Sequence, residues 1–445
     1  MKKSISQEVD DVNEKNGAVT EEFTGKRLTR FGGVGLIRRF FEKYHIKEKI
    51  EEKVAIEGRR ESRYSVGTML ISLLYGIFLG YPRPGQMKPL WKDRVFQKGA
   101  GLRGFPVQST ISRFFAALRV SVALQIARLN FKELMAFRKS FREFLQITLD
   151  LDSHVTSVYG KQQRAGVGHN PKKKGRKSYH PLFCFIGETR DYLGGLFRSG
   201  NHHTSYHAIV FLKTMLKKLP SHLEKIRLRA DSGFFSVEML KFLVRRSIEF
   251  YIVVPLQPWV QKMIRSVTCW RSIGKGVEVG EWEYVLMKGV VLRMVVVRKK
   301  VKVGASPRKQ LKLLNLEEVR YDYQVIVTNS QEVPEEVWRF YNQRACCENF
   351  IKEGIYGFGL DDVISHAYAG NYAYFELLMW GYNLMNFFKE EVLNQKKTKE
   401  MIQTIRDRMF NIPGKLVYLG RRWVLKLERS WYARLEFEEA LAKAA

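Results

Sequence analysis

The sequence predicts an α/β protein: a mixed sheet flanked by helices, preceded by an N-terminal helical domain and interrupted by a β-rich insertion. Three observations lead there. Apolar residues recur at helical spacing from about residue 32 to 141. At Gln146 the pattern switches to period two, with Ile147, Leu149 and Leu151 alternating with Thr148, Asp150 and Asp152. Beyond that point strands first follow one another and then alternate with helices, until the rhythm breaks between residues 256 and 322.

The helical region contains an apolar stretch, residues 66–81, too short for a comfortable membrane span and interrupted by Gly67, Thr68, Ser72, Gly76 and Gly80, so it reads as a buried helix. Tyr81-Pro82-Arg83-Pro84-Gly85 stops it. Ser109 or Thr110 can cap the next helix, whose exposed Arg suits either a DNA groove or an ordinary spacer. Residues 182–186 and 192–198 read as strands joined by a turn at Arg190-Asp191. Residues 204–219 form a helix, 226–231 a strand, 237–246 a helix and 250–255 a strand. Residues 277–287, 290–303 and 311–314 look like strands with no helix between them. Residues 323–327 return to the core sheet, and 334–353 form one helix that Gly354 ends. A very apolar helix spans 372–389; residues 399–409 look helical, and 415–419 with 423–427 fit a hairpin around Gly420. The expected division is 1–140, a helical region; 141–256, the first part of the α/β core; 257–322, the β-rich insertion; 323–395, the second part of the core; and 396–445, a basic C-terminal region.

Charge narrows the function. Lys and Arg number 76 against 45 acids, a net charge of +31 with a pI near 9.9. A folded chain this basic repels itself unless it meets a polyanion, and nucleic acid is the commonest one. No basic amphipathic segment points to a membrane surface. The four cysteines form no CxxC pair, which leaves a zinc ribbon unsupported and fits a reduced, cytoplasmic protein. The polar, acidic start does not read as a signal peptide.

Three acids stand out. Asp152 closes the first core strand, Asp231 closes a later one, and Glu348 lies on the helix after the insertion. Phosphodiester hydrolysis at neutral pH needs an activated water and a stabilised leaving oxygen, which two Mg²⁺ ions roughly 3.5–4 Å apart supply. Such hard ions prefer carboxylate oxygen, so acids from distant parts of the chain must converge. Asp150 projects from the same strand face as Asp152, so one of the two can be a ligand and the other a helper.

Leu149-Asp150-Leu151-Asp152-Ser153, Arg227-Leu228-Arg229-Ala230-Asp231-Ser232-Gly233-Phe234, and Tyr341-Asn342-Gln343-Arg344 followed by Glu348-Asn349-Phe350-Ile351-Lys352-Glu353 resemble the motifs of DDE-class bacterial insertion-sequence transposases, with the insertion-sequence thirteen-eighty family as the nearest branch. Tyr179-His180-Pro181-Leu182, Arg198-Ser199-Gly200-Asn201 and residues 406–422 extend the likeness over most of the chain. The resemblance implies an RNase H-like core with a β-rich insertion. It implies Asp152, Asp231 and Glu348 as the catalytic, metal-binding triad, holding two Mg²⁺ ions with Mn²⁺ as the alternative. It also implies double-stranded DNA, both element ends and target, as partner, a homodimer on that DNA, no membrane association, and a bacterial, cytoplasmic, nucleoid-associated setting. The family's Tyr–Arg–Glu signature falls on Tyr341, Arg344 and Glu348, which on one continuous helix share a face. Related transposases place a Lys two turns beyond the Glu; Ile355 stands there in this chain, and Lys352 is the nearest substitute. That departure leaves a second reading open, a non-catalytic DNA-binding protein derived from a transposase.

The remaining features are weaker. Lys173 and Arg176 belong to a basic run that suits either DNA backbone or a solvated loop. His202, His203 and His207 read as polar residues near a helix start; Trp259, Trp270 and Trp282, like Cys346 and Cys347, read as packing residues.

Overall fold

Helices come first along the chain and a sheet follows, but one late helix holds the two together. The structure is a computed structural model describing residues 22–24, 27–58, 62–138, 141, 143–168, 170, 173–301, 320–393 and 400–444, with backbone only at 301, 320 and 345–348. Its longer N-terminal helices are α1 (Val34–Lys43), α2 (Ile46–Lys53), α3 (Val66–Phe78), α4 (Gln108–Ala116) and α5 (Val120–Phe137). Ser65 caps α3 by accepting from the Thr68 N–H at 3.0 Å, and the helix is buried almost throughout. Neither Ser109 nor Thr110 caps α4, which begins after Val107 with no side-chain cap; it buries Ile111, Phe114 and Phe115 and leaves Arg113 exposed. Among the described residues no single helix is long and apolar enough to cross a membrane.

The nine-stranded sheet comprises β1 (Gln146–Ser153), β2 (Leu182–Ile186), β3 (Tyr192–Leu196), β4 (Lys225–Ala230), β5 (Glu249–Val253), β6 (Arg271–Gly274), β7 (Val277–Met287), β8 (Val290–Val301) and β9 (Arg320–Thr328), in the spatial order β6-β7-β8-β9-β5-β4-β1-β2-β3. β4 lies parallel to β1 and to β5; the other neighbours are antiparallel. The expected strands between residues 256 and 322 do not form a sheet of their own. They extend the main one, because β9 pairs with β8 along its length and with β5 at Ile326, Val327 and Thr328. A helix absent from the sequence reading, α8 (Pro258–Ser266), precedes them, and residues 311–314 lie outside the described residues. The two intervening helices are α6 (Ala208–Leu216), which starts four residues later than expected, and α7 (Val237–Arg245).

Period-two alternation divides the sheet into two faces. Ile147, Leu149, Leu151, Leu228 and Ala230 point into one core with α6 and α7. Asp150, Asp152, Phe183 and Phe185 point to the other, where α9 (Pro334–Asn342), α10 (Ala345–Phe358) and α11 (Tyr368–Glu391) lie. α11 is buried on every side through most of its 24 residues, which explains its largely apolar sequence. It packs against α3, α4, α5 and β3, and Phe387 stacks on Phe137 with ring centroids 4.2 Å apart. Its polar Asn383 is satisfied: it accepts from the Tyr192 N–H at 2.8 Å and donates to the Tyr192 carbonyl and to Asn130. After α11 the chain ends in a hairpin, β10 (Gly414–Leu419) and β11 (Arg422–Leu427), and in α12 (Arg434–Ala444).

Glu376 of α11 is fully buried beside the Tyr192 hydroxyl, 3.3 Å away, and burial pushes its carboxyl up to about 8. The folded chain therefore holds this proton at pH values where the unfolded chain has lost it, so the contribution of Glu376 to stability falls as pH rises from about 4.5 to 8. Glu376→Gln should remove that slope and leave the variant more stable than wild type above pH 8, by on the order of 3 kcal/mol. Urea unfolding of both proteins at pH 5 and pH 8.5 checks this.

Candidate active site

Asp152 sits near the end of β1, and Asp231 lies one residue past the end of β4. These strands are parallel neighbours, with Leu151 opposite Ala230, so both aspartates emerge at the same edge of the sheet. Carboxyl ends of adjacent parallel strands form natural crevices. Local hydrogen bonds orient both side chains: Asp152 Oδ1 accepts from the Ser153 N–H at 2.8 Å, and Asp231 Oδ1 accepts from the Gly233 N–H at 2.9 Å. Asp152 is nearly closed off, with 9% of its side chain exposed, whereas Asp231 is 39% exposed and opens to solvent.

One guanidinium bridges them. Arg344 Nη2 lies 3.2 Å from Asp152 Oδ1 and 3.8 Å from Asp231 Oδ2, and it also reaches the Leu151 carbonyl at 3.5 Å. Arg344 is the residue just before α10, the helix whose first turn contains Glu348. The side chain of Glu348 lies outside the described residues, and among those described no group of three or more metal-ligating side chains occurs.

Asp150 has a different partner. It faces Arg229 directly across the β1–β4 ladder, and Arg229 donates from Nε and Nη2 to the two Asp150 oxygens at 2.6 and 2.8 Å. Both side chains are buried; burial raises the Asp150 carboxyl above its ordinary range, and the guanidinium opposes that shift. The remaining nitrogen of Arg229 explains why residues 334–353 are not one helix. In a continuous helix the Arg344 N–H would bond the Phe340 carbonyl. Here Arg229 Nη1 donates to that carbonyl at 2.9 Å, and the Arg344 N–H turns to the Tyr341 carbonyl at 2.8 Å. The chain breaks at Gln343 and Arg344, so Tyr341 does not share a continuous helix face with Arg344 and Glu348 as its spacing predicted. Tyr341 is buried on α9 in a cluster with Tyr251, Val295, Ile326 and Val337. At the other end α10 runs past Gly354 to Phe358, and Gly359 closes it in the left-handed region at φ 71°. The Gly359 N–H bonds the Ile355 carbonyl at 3.2 Å, the pattern of an αL ending.

α10 is pinned beyond both its ends to β1 and the segment just after it. Arg344 holds the start, and just past the far end Asp361 accepts from Thr156 and pairs with His154 Nε2 at 2.6 Å. Between them Phe350 packs on Phe185 of β2. A wall of the crevice comes from two motifs noted in the sequence without a role. His180 Nδ1 lies 3.0 Å from the His202 carbonyl, which fixes the proton on that nitrogen, so Nε2 accepts from the Ser153 hydroxyl at 3.0 Å. Burial lowers His180 to about 4, and the ring is neutral at physiological pH. Arg198 donates to the carbonyls of His180, His203 and Tyr206, which shapes the loop opposite Asp231 around Thr204. His203 contacts Ser205 and His202 stacks on Tyr206, consistent with polar loop residues.

The basic candidates lie on the surface. Lys352 is exposed on α10, and Ile355 packs partly against the helical core. Lys173 and Arg176 are exposed and both lie over the ring of Tyr159, which is 67% exposed. Trp270 and Trp282 pack partly against the sheet core; Trp259 is 37% exposed and stacks with Tyr284. The sequence reading missed Arg229. Its signal was a charged residue between the apolar Leu228 and Ala230 near the end of a strand, two positions before Asp231.

Comparison with known families bears on this arrangement. The family model for the transposase DDE domain, group 1, matches residues 12–445. The chain belongs to this family. No curated protein matches it. Among solved structures, one match is the cryo-EM structure of a piggyBac transposase synaptic complex with hairpin DNA, at 11% identity and a TM-score of 0.45, covering 86% of this chain and 79% of that one.

Within this transposase domain the two neighbouring aspartates should differ in what they do for stability. Asp150→Asn strands a buried guanidinium and should cost about 3–5 kcal/mol in urea unfolding. Asp231→Asn, at a half-open position where Asn can still cap the following turn, should stay within about 1 kcal/mol of wild type.

Proposed function

We propose that this chain is a DNA transposase that binds the terminal inverted repeats of its element, cleaves DNA strands with water, and joins the freed 3′-OH ends to target DNA. The observation that carries the proposal is the convergence of Asp152 and Asp231 on one guanidinium, that of Arg344, at the start of the helix bearing Glu348. Family membership points the same way. The strand order β3-β2-β1-β4-β5, with β4 and β5 parallel to β1, supports an RNase H-like core. We read residues 141–256 and 323–395 as its two parts, 257–322 as the insertion, 1–140 as a helical DNA-binding region and 396–445 as a basic C-terminal region. The insertion-sequence thirteen-eighty branch, with its bacterial, nucleoid-associated setting and homodimeric assembly on DNA, is part of the same reading.

The donor set suits hard divalent cations. Asp152, Asp231 and Glu348 would offer only carboxylate oxygen, and both aspartates direct negative charge at a point where a cationic nitrogen already sits. Two Mg²⁺ ions, or Mn²⁺, held there would activate water and stabilise the leaving oxygen. The protein's own side chains do the rest. Ser153 and Gly233 N–H groups orient the two carboxylates. The Asp150–Arg229 pair sets the helix break that aims Arg344 inward. Arg344, planar and forked, suits a phosphate as well as a carboxylate. Lys352, Lys173 and Arg176 would contact the DNA backbone, and Tyr341 would support the helix break from beneath.

Asp231→Asn should bind end-containing duplex as wild type does, yet lose Mg²⁺-dependent cleavage by more than the roughly 100-fold typical of removing an outer partner of a metal ligand. Cleavage by the variant at the wild-type rate would remove the triad assignment. Wild-type protein that binds ends but never nicks them in Mg²⁺ would favour the non-catalytic reading.

A further inference from the structure

The C-terminal hairpin has properties that fold stability does not explain. β10 and β11 form a three-stranded sheet with Leu28–Thr29, in which β10 is central and β11 is one of the two edge strands. From residue 414 to 427 the hairpin contains Lys415, Arg421, Arg422 and Lys426 and no acid. Lys415 and Lys426 stand directly opposite each other in the ladder, and both are exposed. Like charges at opposed positions repel. None of the four basic side chains forms an ion pair with a described residue. The turn adds a second cost. Gly420 and Arg421 are its two loop residues, with φ of 52° and 60°. The second is a position where Gly or Asn is favoured, yet an arginine occupies the left-handed region there.

The other face of the hairpin is different. Leu416 is buried there and Leu425 and Leu427 are partly so, while near the tip Tyr418 and Trp423 remain 57% and 41% exposed, with ring centroids 5.1 Å apart. Two further cations, Lys98 at 3.3 Å and Arg27 at 4.9 Å, lie over the Trp423 ring. The ribbon therefore ends in exposed aromatics among cations that form no ion pair with a described residue. The segment leading into it is anchored: Arg406, eight residues upstream, is buried and donates to the Phe78 carbonyl of α3 and to the Gly357 carbonyl of α10. The hairpin is thus tethered to the helix that carries Glu348.

We infer that the hairpin of residues 414–427 is a DNA-docking ribbon that lays Lys415, Lys426, Arg421 and Arg422 on duplex phosphates. Double-stranded DNA repays the repulsion between the opposed lysines, since each phosphate neutralised releases counterions. A two-stranded ribbon also has the width that a major groove admits. The inference rests on the transposase reading above but concerns a surface apart from the carboxylates.

The test uses the full chain, a fluorescein-labelled 30-base-pair duplex and anisotropy titrations across a KCl series. A variant combining Lys415→Gln, Arg421→Gly, Arg422→Gln and Lys426→Gln should bind at least about tenfold more weakly and lower the slope of log affinity against log salt by about three to four. Lys426→Gln alone should lower that slope by about one. Thermal unfolding controls for folding: the midpoint of the combined variant should equal or exceed that of wild type, because the opposed lysines and the left-handed arginine are both gone. Unchanged affinity and slope in both variants, with wild type binding well, would overturn the ribbon and leave the cleavage reading intact. Absence of duplex binding by wild type would overturn both. Loss of Mg²⁺-dependent cleavage in Asp231→Asn with the salt slope retained would separate the two surfaces.

Discussion

Two arginines, each claimed by a different aspartate of one strand, set the geometry of the candidate active site. Arg229 is held by Asp150 and Arg344 by Asp152, with Asp231 nearby. A buried guanidinium must find acceptors for its fixed fork of donors or pay a large desolvation penalty. Arg229 meets that demand with both Asp150 oxygens and then takes the Phe340 carbonyl. That third bond ends α9, redirects the backbone, and lets Arg344 turn beneath the sheet edge toward Leu151 and Asp152. The break in the helix is therefore part of the site.

The rest of the fold keeps that edge rigid. α11 is enclosed by the N-terminal helices on one side and by β3 on the other, so the helical region and the sheet share one core instead of meeting at a polar boundary. α10 rests on β2 through Phe350, is fixed ahead of its start by Arg344, and is fixed beyond its end by Asp361. Arg406 joins the C-terminal segment to the same helix. Buried polar groups such as Asn383 and Arg198 each have several partners, as low-dielectric surroundings require. A site that must position charged groups in a crevice gains from this, since stiff strand ends hold carboxylates better than free loops do.

The fold class and the strand edges were legible in the sequence because alternation is a local signal. β7 was read with its observed bounds, and the C-terminal hairpin within a residue at each end. Where reading failed, a distant residue had intervened. The single helix expected over 334–353 was broken by Arg229, more than a hundred positions away, and no local breaker marks the site. α8 was missed because its nine residues, starting at Pro258, span too few turns for a clear helical period. That the strands of the β-rich insertion would extend the main sheet had no local signal, since nothing local reveals that β9 would pair with both β8 and β5.

By itself the sequence determined the basic charge, the alternation that puts Asp150 and Asp152 on one face, and the acids at the ends of two strands. It could not decide which aspartate meets which arginine. Both look toward the same side, and the choice depends on strand register and on a helix packed across it: Arg229 is 79 residues from Asp150, and Arg344 reaches the β1 backbone 193 residues away. Only tertiary packing brings such groups within a few ångströms, and only there do burial and pairing separate a carboxylate that holds the scaffold from one that opens to solvent.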